Sequence, residues 1–283
     1  MRGRDRIQYK TPEQVRLMRR AGLVVGQTLE LVREAARVGM TTRDLDAVAE
    51  RHIRAAGAEP SFLGYHGFPA TLCVSVNDEI VHGIPGDRVL QDGDVVSIDC
   101  GAVVDGWHGD AAISVVVGVA DAGDERLLAT TEEAMWHGIV ALRAGSRLHD
   151  VGAAVEDVVL ARAGDGGAHY EQGYGIIEEY VGHGIGTEMH QDPQVPNHRV
   201  RDKGVRVRPG LVVAIEPMLT RGGSGTRVLD DDWTVVSTDA SRAAHFEHTV
   251  AVGEHGVWVL TALDGGEHDL GRLGAPYAPQ DQA

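Results

Sequence analysis

Apolar residues near the start of the chain recur at intervals of three, four and seven, the spacing of one helix face. The segment Thr11-Pro12-Glu13-Gln14 precedes them. It offers a capping threonine, a proline at the first helical position and a glutamine that can reach back to the cap. Gly39 stands just past the end of the pattern. The pattern predicts a first helix after residue 11, with an apolar face made of Val15, Met18, Val25, Leu29 and Val32.

Three further helices are predicted, at residues 42–56, 125–143 and 149–163. When Gly39 is aligned with Gly145, the segments that follow match at several positions. The similarity is weak and could be chance, but it falls at the same relative place in each half. It suggests a duplicated α/β unit. The matched pairs are Asp44 with Asp150, Leu45 with Val151, Ala47 with Ala153, Glu50 with Glu156 and Ile53 with Val159.

Short apolar runs predict strands after each helix pair. Asp105-Gly106 lies between two such runs and is a strong signal for a two-residue hairpin turn. Pro217 ends another run, and a turn at 254–256 separates the last two. The predicted strands cover 95–104, 107–117, 211–216, 246–252 and 257–260.

No linker divides the chain, so we predict one α+β domain over 1–283. Its halves would run roughly over 11–118 and 119–262. Residues 264–283 are rich in glycine, proline and polar side chains, and they are expected to form a flexible tail that frays.

Composition narrows the classes of function. Hydrophobic residues make up 43% and charged residues 24%, which is ordinary for a globular domain. The net charge of −16 argues against stable nucleic-acid binding through a basic surface. The two cysteines, Cys73 and Cys100, suggest no disulfide framework and fit a reducing compartment. With no apolar run in residues 1–10 and none of about 18 residues elsewhere, we expect a cytoplasmic protein without a membrane partner.

The predicted hairpin brings two aspartates together. Counting back from its turn places Asp110 opposite Gly101, two residues beyond Asp99, which in turn faces Ala112. Asp99 and Asp110 then point to one side of the sheet, about 7 Å apart as diagonal neighbours, within reach of a common ion. Asp99 also interrupts a mostly apolar strand, where an unpaired charge is costly. Each aspartate could instead face solvent on a one-sided sheet, and for Asp110 taken alone that is the simpler interpretation.

Three more residues complete a candidate metal site. Glu216 ends the apolar run 211–215, and Glu247 immediately precedes another apolar run. His183 lies in Gly182-His183-Gly184-Ile185-Gly186, where the glycines leave room for an imidazole. A single histidine in such a loop is more often an ordinary loop residue, and the chain has 14 histidines.

The five residues are more informative together than singly. Carboxylates with one imidazole suit Mn, Fe(II), Co or Zn rather than a metal that prefers thiolates. Four carboxylates balance the charge of two divalent ions. Two ions about 3.5–4 Å apart can hold a bridging hydroxide and polarise a carbonyl, which is the chemistry of metal-assisted hydrolysis.

These residues lie in motifs that resemble the type I methionine aminopeptidases, a family with the pita-bread fold. The resemblance covers about residues 9–260, and the two aspartates are separated by the family's interval of eleven. The motifs are Ser97-Ile98-Asp99-Cys100-Gly101, His108-Gly109-Asp110, Gly182-His183-Gly184-Ile185-Gly186, Ile215-Glu216-Pro217-Met218 and Phe246-Glu247-His248-Thr249.

The resemblance implies a fold and an activity. The fold would have two pseudo-symmetric halves, with an antiparallel sheet and flanking helix pairs. Two divalent ions, Co, Mn, Fe or Zn, would be held by Asp99, Asp110, His183, Glu216 and Glu247. The enzyme would remove the initiator methionine from nascent polypeptides that have a small second residue. It would act as a monomer with transient ribosome association.

The resemblance also assigns roles around the metal site. His82, in the segment 77–85, would contact the substrate at the scissile amide. His190, in 189–193, would donate a hydrogen bond to the developing oxyanion. Glu216 would be both a ligand and a proton shuttle. The methionine side chain would lie among Tyr65, Phe68, Cys73, Met189 and Trp233.

Some positions depart from the family's pattern, and other interpretations stay open. Met189 replaces a common aromatic, Phe68 a frequent tyrosine, and Gln191-Asp192 a pair of glutamates, so the pocket is expected to differ in shape from that of the family. Without the resemblance, the aromatic residues could be ordinary core and His82 a surface residue. A prolidase or aminopeptidase P would use the same fold and metals. An inactive, peptide-binding member of the fold is the alternative outside enzymology.

Overall fold

The structure is a computed structural model that describes residues 7–162 and 173–279. Its helices are α1 (Pro12–Ala35), α2 (Thr42–Ala55), α3 (Ala122–Ala141), α4 (Asp150–Ala161) and α5 (Glu267–Arg272). Its strands are β1 (Glu59–Pro60), β2 (Leu72–Val76), β3 (Glu79–Val81), β4 (Val95–Val104), β5 (Trp107–Val116), β6 (Gly175–Ile176), β7 (Gly182–Gly184), β8 (Gln191–Val195), β9 (Val212–Ile215), β10 (Met218–Thr220), β11 (Thr226–Val228), β12 (Val235–Ser237), β13 (Ala243–His245), β14 (Glu247–Val252) and β15 (Val257–Val259).

The four long helices are where the sequence predicts them, with small shifts at their ends. The backbone N–H of Thr11 donates to the Gln14 side chain at 2.9 Å, and the Thr11 hydroxyl accepts from the Gln14 N–H, so the predicted capping box is present. Helix α3 begins three residues earlier than predicted, because the carboxylate of Asp121 caps it by accepting from the Gly123 N–H. Helix α4 ends at Ala161, and the predicted end at Ala163 lies outside the described residues.

One antiparallel sheet unites both halves of the chain. Its strand order is β1-β4-β5-β14-β9-β7-β8, with β2 also paired to β4 and β15 to β14. Helices α1 and α2 bury one core against β2, β4 and β5, and α3 and α4 bury a second against β9 and β14. The pair β5–β14 is the seam where the halves meet.

The two halves repeat a backbone pattern. Gly39 and Gly145 both have φ of +91°, a left-handed conformation that glycine adopts readily. The N–H of Gly39 donates to the carbonyl of Leu90 at 3.0 Å, and the N–H of Gly145 donates to that of Val207 at 3.0 Å. Leu90 and Val207 precede the corresponding strands β4 and β9. The pseudo-symmetric halves predicted from the weak sequence match are confirmed.

The predicted hairpin forms in the predicted register. Asp105 and Gly106 have φ of 50° and 79°, so both turn residues are left-handed, as a type I′ turn requires. Asp110 lies opposite Gly101, and Asp99 lies opposite Ala112. The register is confirmed, and it sets the direction of both aspartates.

The C-terminal segment differs from its prediction. Instead of fraying after Leu263, the chain forms α5, whose Leu270 is fully buried in the second core. Tyr277 then pairs with Val257, and the N–H of Ala278 donates to the Val257 carbonyl at 3.0 Å. The expectation of a flexible tail is wrong for 264–279, because apolar contacts and backbone pairing hold the segment; residues 280–283 lie outside the described residues. In the described ranges, no helix has the length and apolar character needed to cross a bilayer.

Candidate metal centre and active site

The five candidate ligands come from five neighbouring strands. Asp99 lies on β4, Asp110 on β5, Glu247 begins β14, Glu216 follows β9 directly, and His183 lies on β7. Because the sheet order is β4-β5-β14-β9-β7 in this region, each strand contributes one side chain to the same patch. We call these five residues the ligand set.

Strand alternation explains why the aspartates point away from the helices. Ile98 and Cys100 are fully buried in the core under α1 and α2. Successive side chains of a strand alternate between faces, so Asp99 must point to the opposite face. There it lines a cavity.

The ligand atoms are close enough to share a metal. Donor atoms of Asp110, His183 and Glu247 all lie within 4.8 Å of one another. Nε2 of His183 is 3.5 Å from Oε1 of Glu216 and 4.0 Å from Oδ2 of Asp110. All five members of the ligand set line the cavity.

The carboxylates are in an environment that penalises their charge. Burial, followed by the neighbouring carboxylates, raises the pKa of Asp110, Glu216 and Glu247 well above the usual range, and burial raises the pKa of Asp99 to about 7. Among the described residues, one buried oxygen in each of Asp99, Asp110 and Glu247 has no hydrogen-bond partner. Since a carboxylate oxygen only accepts, these orphaned atoms fit divalent cations as their missing partners.

The protonation state of His183 leaves Nε2 available to bind a metal. Its Nδ1 is 3.0 Å from the carbonyl of Gly184, which can only accept, so Nδ1 carries the proton. Burial lowers the pKa of His183 to about 3, so the ring is neutral with a free lone pair on Nε2. A side-chain carbon on Gly182 would lie 2.4 Å from the Ala214 carbonyl oxygen, and one on Gly184 would lie 2.3 Å from that of Asp192. The glycines are therefore needed for the close approach of the adjacent strands.

Two further histidines face the cavity. The ring of His190 lies 4.3 Å from the ring of His183, and its Nδ1 is 2.8 Å from the Tyr65 hydroxyl. His82 has a left-handed backbone, with φ of 60°. Burial lowers the pKa of His190, and it lowers the pKa of His82 to about 4, so both rings are neutral at pH 7.

The other end of the cavity is apolar. The rings of Phe68 and Trp233 meet edge to face, with centroids 5.1 Å apart. Cys73 and Met189 are buried beside them, and Tyr65 packs at the edge of this cluster. The structure thus brings all twelve candidate site residues to one cavity, whose lining is Phe62, Tyr65, Phe68, Cys73, His82, Asp99, Asp110, His183, Met189, His190, Glu216, Trp233 and Glu247.

Sequence reasoning missed two residues near this cavity. Phe62 lines the apolar end, and a side-chain carbon on Gly101 would lie 2.7 Å from its ring, so the glycine of the Asp99 motif makes room for Phe62. His245 is buried, and its Nε2 is 3.8 Å from Oε2 of Glu216. A glycine two residues after Asp99 was the signal for the first, and a histidine two residues before Glu247 was the signal for the second.

A groove opens beside the metal end of the cavity. It shares His183 and His190 with the cavity, and it carries the carboxylates of Glu188 and Asp192. We call it the acidic groove, and its remaining lining is Val181, Gly182, Gln191 and Gln194. A substrate longer than the cavity can extend into it.

Proteins of known sequence resemble this chain over most of its length. The profile of metallopeptidase family M24 matches residues 16–254, which include the whole ligand set. The chain is 49% identical over 262 residues to methionine aminopeptidase 1 of Mycobacterium tuberculosis, covering 92% of this chain and 97% of that protein. It is 44% identical over 254 residues to methionine aminopeptidase 1 of Bacillus subtilis, covering 90% and 98%.

Solved structures share the fold. A crystal structure of methionine aminopeptidase from Thermotoga maritima matches with a TM-score of 0.85 at 38% identity, covering 90% of this chain and 99% of that one. A prolidase from Pyrococcus furiosus matches with a TM-score of 0.69 at 21% identity, covering 89% and 65%. At that identity the second likeness concerns the fold alone.

Proposed function

The chain belongs to metallopeptidase family M24, and from that premise we propose that it releases the N-terminal methionine from peptides. The membership confirms the resemblance found in the sequence motifs, together with the pita-bread fold. The observation that carries the proposal is the joining of two chemically different ends in one cavity. Four carboxylates and a neutral imidazole form one end, and an apolar pocket forms the other.

We propose that the ligand set holds two divalent ions, drawn from Co, Mn, Fe and Zn. Four carboxylates carry the charge that two such ions would balance, and the mixture of oxygen and imidazole donors suits these metals. Bound ions supply a Lewis acid for the scissile carbonyl and a water of lowered pKa. The orphaned oxygens of Asp99, Asp110 and Glu247 support this assignment.

The apolar pocket would bind the methionine side chain. Phe62, Phe68 and Trp233 offer ring faces and edges, and Met189 can adapt to an unbranched thioether. The methionine side chain brings no charge into that end of the cavity, which suits its apolar lining. The amino group of the same residue would then point toward the carboxylates, and this limits cleavage to the first peptide bond.

His190 and Tyr65 would stabilise the reacting carbonyl. If the Tyr65 hydroxyl donates to Nδ1 of His190, the neutral ring keeps its proton on Nε2. That N–H can donate to the oxygen on which negative charge develops. Glu216 would accept the proton of the attacking water and pass it toward the leaving amine, while His82 would contact the scissile amide.

The wider setting follows from this activity. We propose nascent polypeptide N-termini with a small second residue as substrates, transient association with ribosomes, a single catalytic domain that acts as a monomer, and a cytoplasmic location. The complete site within one chain supports the monomer. The free thiols of Cys73 and Cys100 are in keeping with a reducing compartment.

The test is release of methionine from Met-Ala-Ser by purified protein. The protein is stripped with a chelator and then reloaded with Co(II), Mn(II) or Fe(II), alongside Asp110→Ala, Glu247→Ala and the surface control Glu254→Ala. We expect wild type and the control to release methionine only when reloaded, and both ligand variants to stay at the metal-free level. Cleavage of Ala-Pro in place of Met-Ala-Ser would move the assignment to a prolidase. Failure to cleave either peptide or to bind metal would leave a peptide-binding module.

A further inference from the structure

His245 is a buried histidine that no part of the proposed mechanism uses. It ends β13 and is 2% exposed. Its backbone is held by Ser114, whose hydroxyl donates to the His245 carbonyl and accepts from the His245 N–H, each at 2.9 Å. These two bonds hold the backbone of His245, and burial surrounds its ring.

The ring points at one oxygen of Glu216. Nε2 of His245 lies 3.8 Å from Oε2 of Glu216 and has no hydrogen-bond partner in the part of the chain that the structure describes. Oε1 of the same carboxylate lies 3.5 Å from Nε2 of His183. The two oxygens of Glu216 are therefore divided between two imidazoles, one inside the ligand set and one outside it.

The chemistry of the pair fixes the direction of a hydrogen bond. An ionised carboxylate can only accept, so the favourable tautomer of His245 carries its proton on Nε2. The present separation exceeds hydrogen-bond distance, and a shift of about 1 Å by either side chain closes it.

Other contacts hold the Glu216 backbone but leave its carboxylate to be oriented. The amide of Asn197, itself fully buried, donates to the Glu216 carbonyl at 3.1 Å. That bond fixes the chain at residue 216, and the side chain can still rotate about its own bonds. A hydrogen-bond donor beside Oε2, the oxygen that is not near His183, can select one rotamer of the Glu216 side chain.

We propose that His245 is a positioning residue that donates Nε2–H to Oε2 of Glu216 and so turns Oε1 toward His183 and the metal site. The inference rests on the proposed function only in taking Glu216 as a metal ligand. Partners of this kind, which hold a ligand from outside, typically change metal affinity about tenfold to a hundredfold when removed. His245 would thus tune metal affinity without touching the metal.

The test compares two amides that differ by one methylene. The side-chain nitrogen of glutamine reaches about as far as Nε2 of histidine, and that of asparagine does not. Metal-free wild type, His245→Gln and His245→Asn are titrated with Mn(II) and Co(II) by calorimetry, and the Co(II) absorption spectrum reports the geometry of the site. The control is His52→Asn, at a half-buried histidine that bonds Thr28 on the α1–α2 pair.

We expect His245→Gln to bind like wild type, and His245→Asn to bind about tenfold to a hundredfold more weakly with an altered Co(II) spectrum. At saturating metal, His245→Asn should lower kcat more than it raises KM, because the apolar pocket is untouched. The thermal midpoint of the metal-free protein should differ only slightly between the two variants, since their side chains differ by a single methylene.

Three results would count against the inference. Equal metal affinity in all the variants would overturn it, and so would equal weakening by glutamine and asparagine, which would indicate packing. An equal loss of affinity in His52→Asn would indicate a general loss of stability. If wild type bound no metal, the proposed function would fail as well, so that the two failures are distinguishable.

Discussion

A buried carboxylate without a donor or a cation is unstable in its charged form, and the ligand set contains four carboxylates. Asp110 and Glu247 are almost completely buried, and each has an oxygen that accepts no hydrogen bond from any residue within 7–162 and 173–279. The fold therefore retains groups that weaken the metal-free protein. Such a cost is typical of a functional site, where binding rather than stability determines the residue.

The stability of the metal-free protein should depend on pH through Asp99. Burial raises the pKa of Asp99 to about 7, while an unfolded aspartate titrates near about 3.9. Between these values the folded state holds a proton that the unfolded chain has lost, so stability contributed by this group falls as pH rises. Asp99→Asn removes the effect. Relative to wild type, the free energy of unfolding of the variant should rise by about 1.4 kcal/mol per pH unit from about pH 4 to about pH 7. Above about pH 7 the difference should stay constant.

Urea unfolding in the presence of a chelator, at a series of pH values, measures this difference. The matched control is Asp87→Asn, whose side chain is 92% exposed, and its difference from wild type should not change with pH in the same way. If the free energy of unfolding of Asp99→Asn differed from that of wild type by the same amount over the whole pH range, the prediction would be contradicted.

At the residue level, the sequence was informative where a polar side chain interrupts an apolar strand. Asp99 and Glu216 stand out for that reason, and the hairpin count then gave the direction of Asp110. His245 and Phe62 were missed because the residues that they approach are distant from them in sequence. Glu216 is 29 residues from His245, and Gly101, which makes room for Phe62, is 39 residues away. Only the folded chain brings these pairs together.

Helix α1 packs closely against the β4–β5 hairpin, which carries both aspartates. Gly109 has no side chain, and a carbon added there would lie 2.8 Å from the backbone nitrogen of Gly22 on α1. A carbon added to Gly22 itself would lie 2.1 Å from the Leu260 carbonyl oxygen. At Gly22, helix α1 is thus in close backbone contact with both the hairpin and the chain after β15.

Gly109→Ala should therefore destabilise the protein. Overfilling a packed contact costs about 1–3 kcal/mol, and here the nearest atoms are backbone, which cannot rotate away. Urea unfolding of the metal-loaded protein measures the change. Gly271→Ala on α5 is the control, because a carbon there meets nothing within 4 Å, and alanine in a helix should be neutral or stabilising. Equal stability of Gly109→Ala and wild type would contradict the packing.

The packed C-terminal helix gives a second prediction. Leu270 is fully buried in the second core, so Leu270→Ala should lower the free energy of unfolding by about 2–5 kcal/mol. Leu263→Ala, at a side chain that is 50% exposed, should change it by less than about 0.5 kcal/mol. If urea unfolding gave equal values for the two variants, the segment would not be packed as described.

At the element level, long periodic segments and the Asp105-Gly106 turn were predictable, because local spacing and turn chemistry determine them. Strands of two or three residues, such as β6, β10 and β13, were not predicted, since they depend on pairing with distant segments. The prediction of a flexible tail after residue 263 was wrong for a related reason. Its glycines and prolines suggest disorder, while a single leucine, Leu270, anchors α5 to a core built elsewhere.

For the whole molecule, charge bears on the choice of substrate. The net charge is −16, and the acidic groove places Glu188 and Asp192 next to the metal end of the cavity. Buried Lys10 bonds Gln191 of the groove and offsets part of this charge. A peptide that extends past the scissile bond would bring its third residue toward these carboxylates. Cationic peptides should be favoured.

Met-Ala-Lys peptides should have a KM about twofold to fivefold lower than Met-Ala-Glu peptides at low salt, the effect of one exposed ion pair. Raising the ionic strength should shrink the difference, because the groove is open to solvent. Glu188→Gln should shrink it as well, and the distant control Glu254→Gln should leave it unchanged. A preference that neither salt nor Glu188→Gln altered would exclude this origin.

The order of strands in the sheet also has a consequence for biosynthesis. Strand β14 pairs with β5 on one side and with β9 on the other, yet it follows both in the chain. A growing polypeptide that has not reached Glu247 has made both flanks of the sheet and not its middle. Two open strand edges then face a gap, and exposed edges invite pairing with other chains. The last ligand to be synthesised is also the first residue of the strand that closes that gap, so metal capture and protection of these edges become available at the same moment.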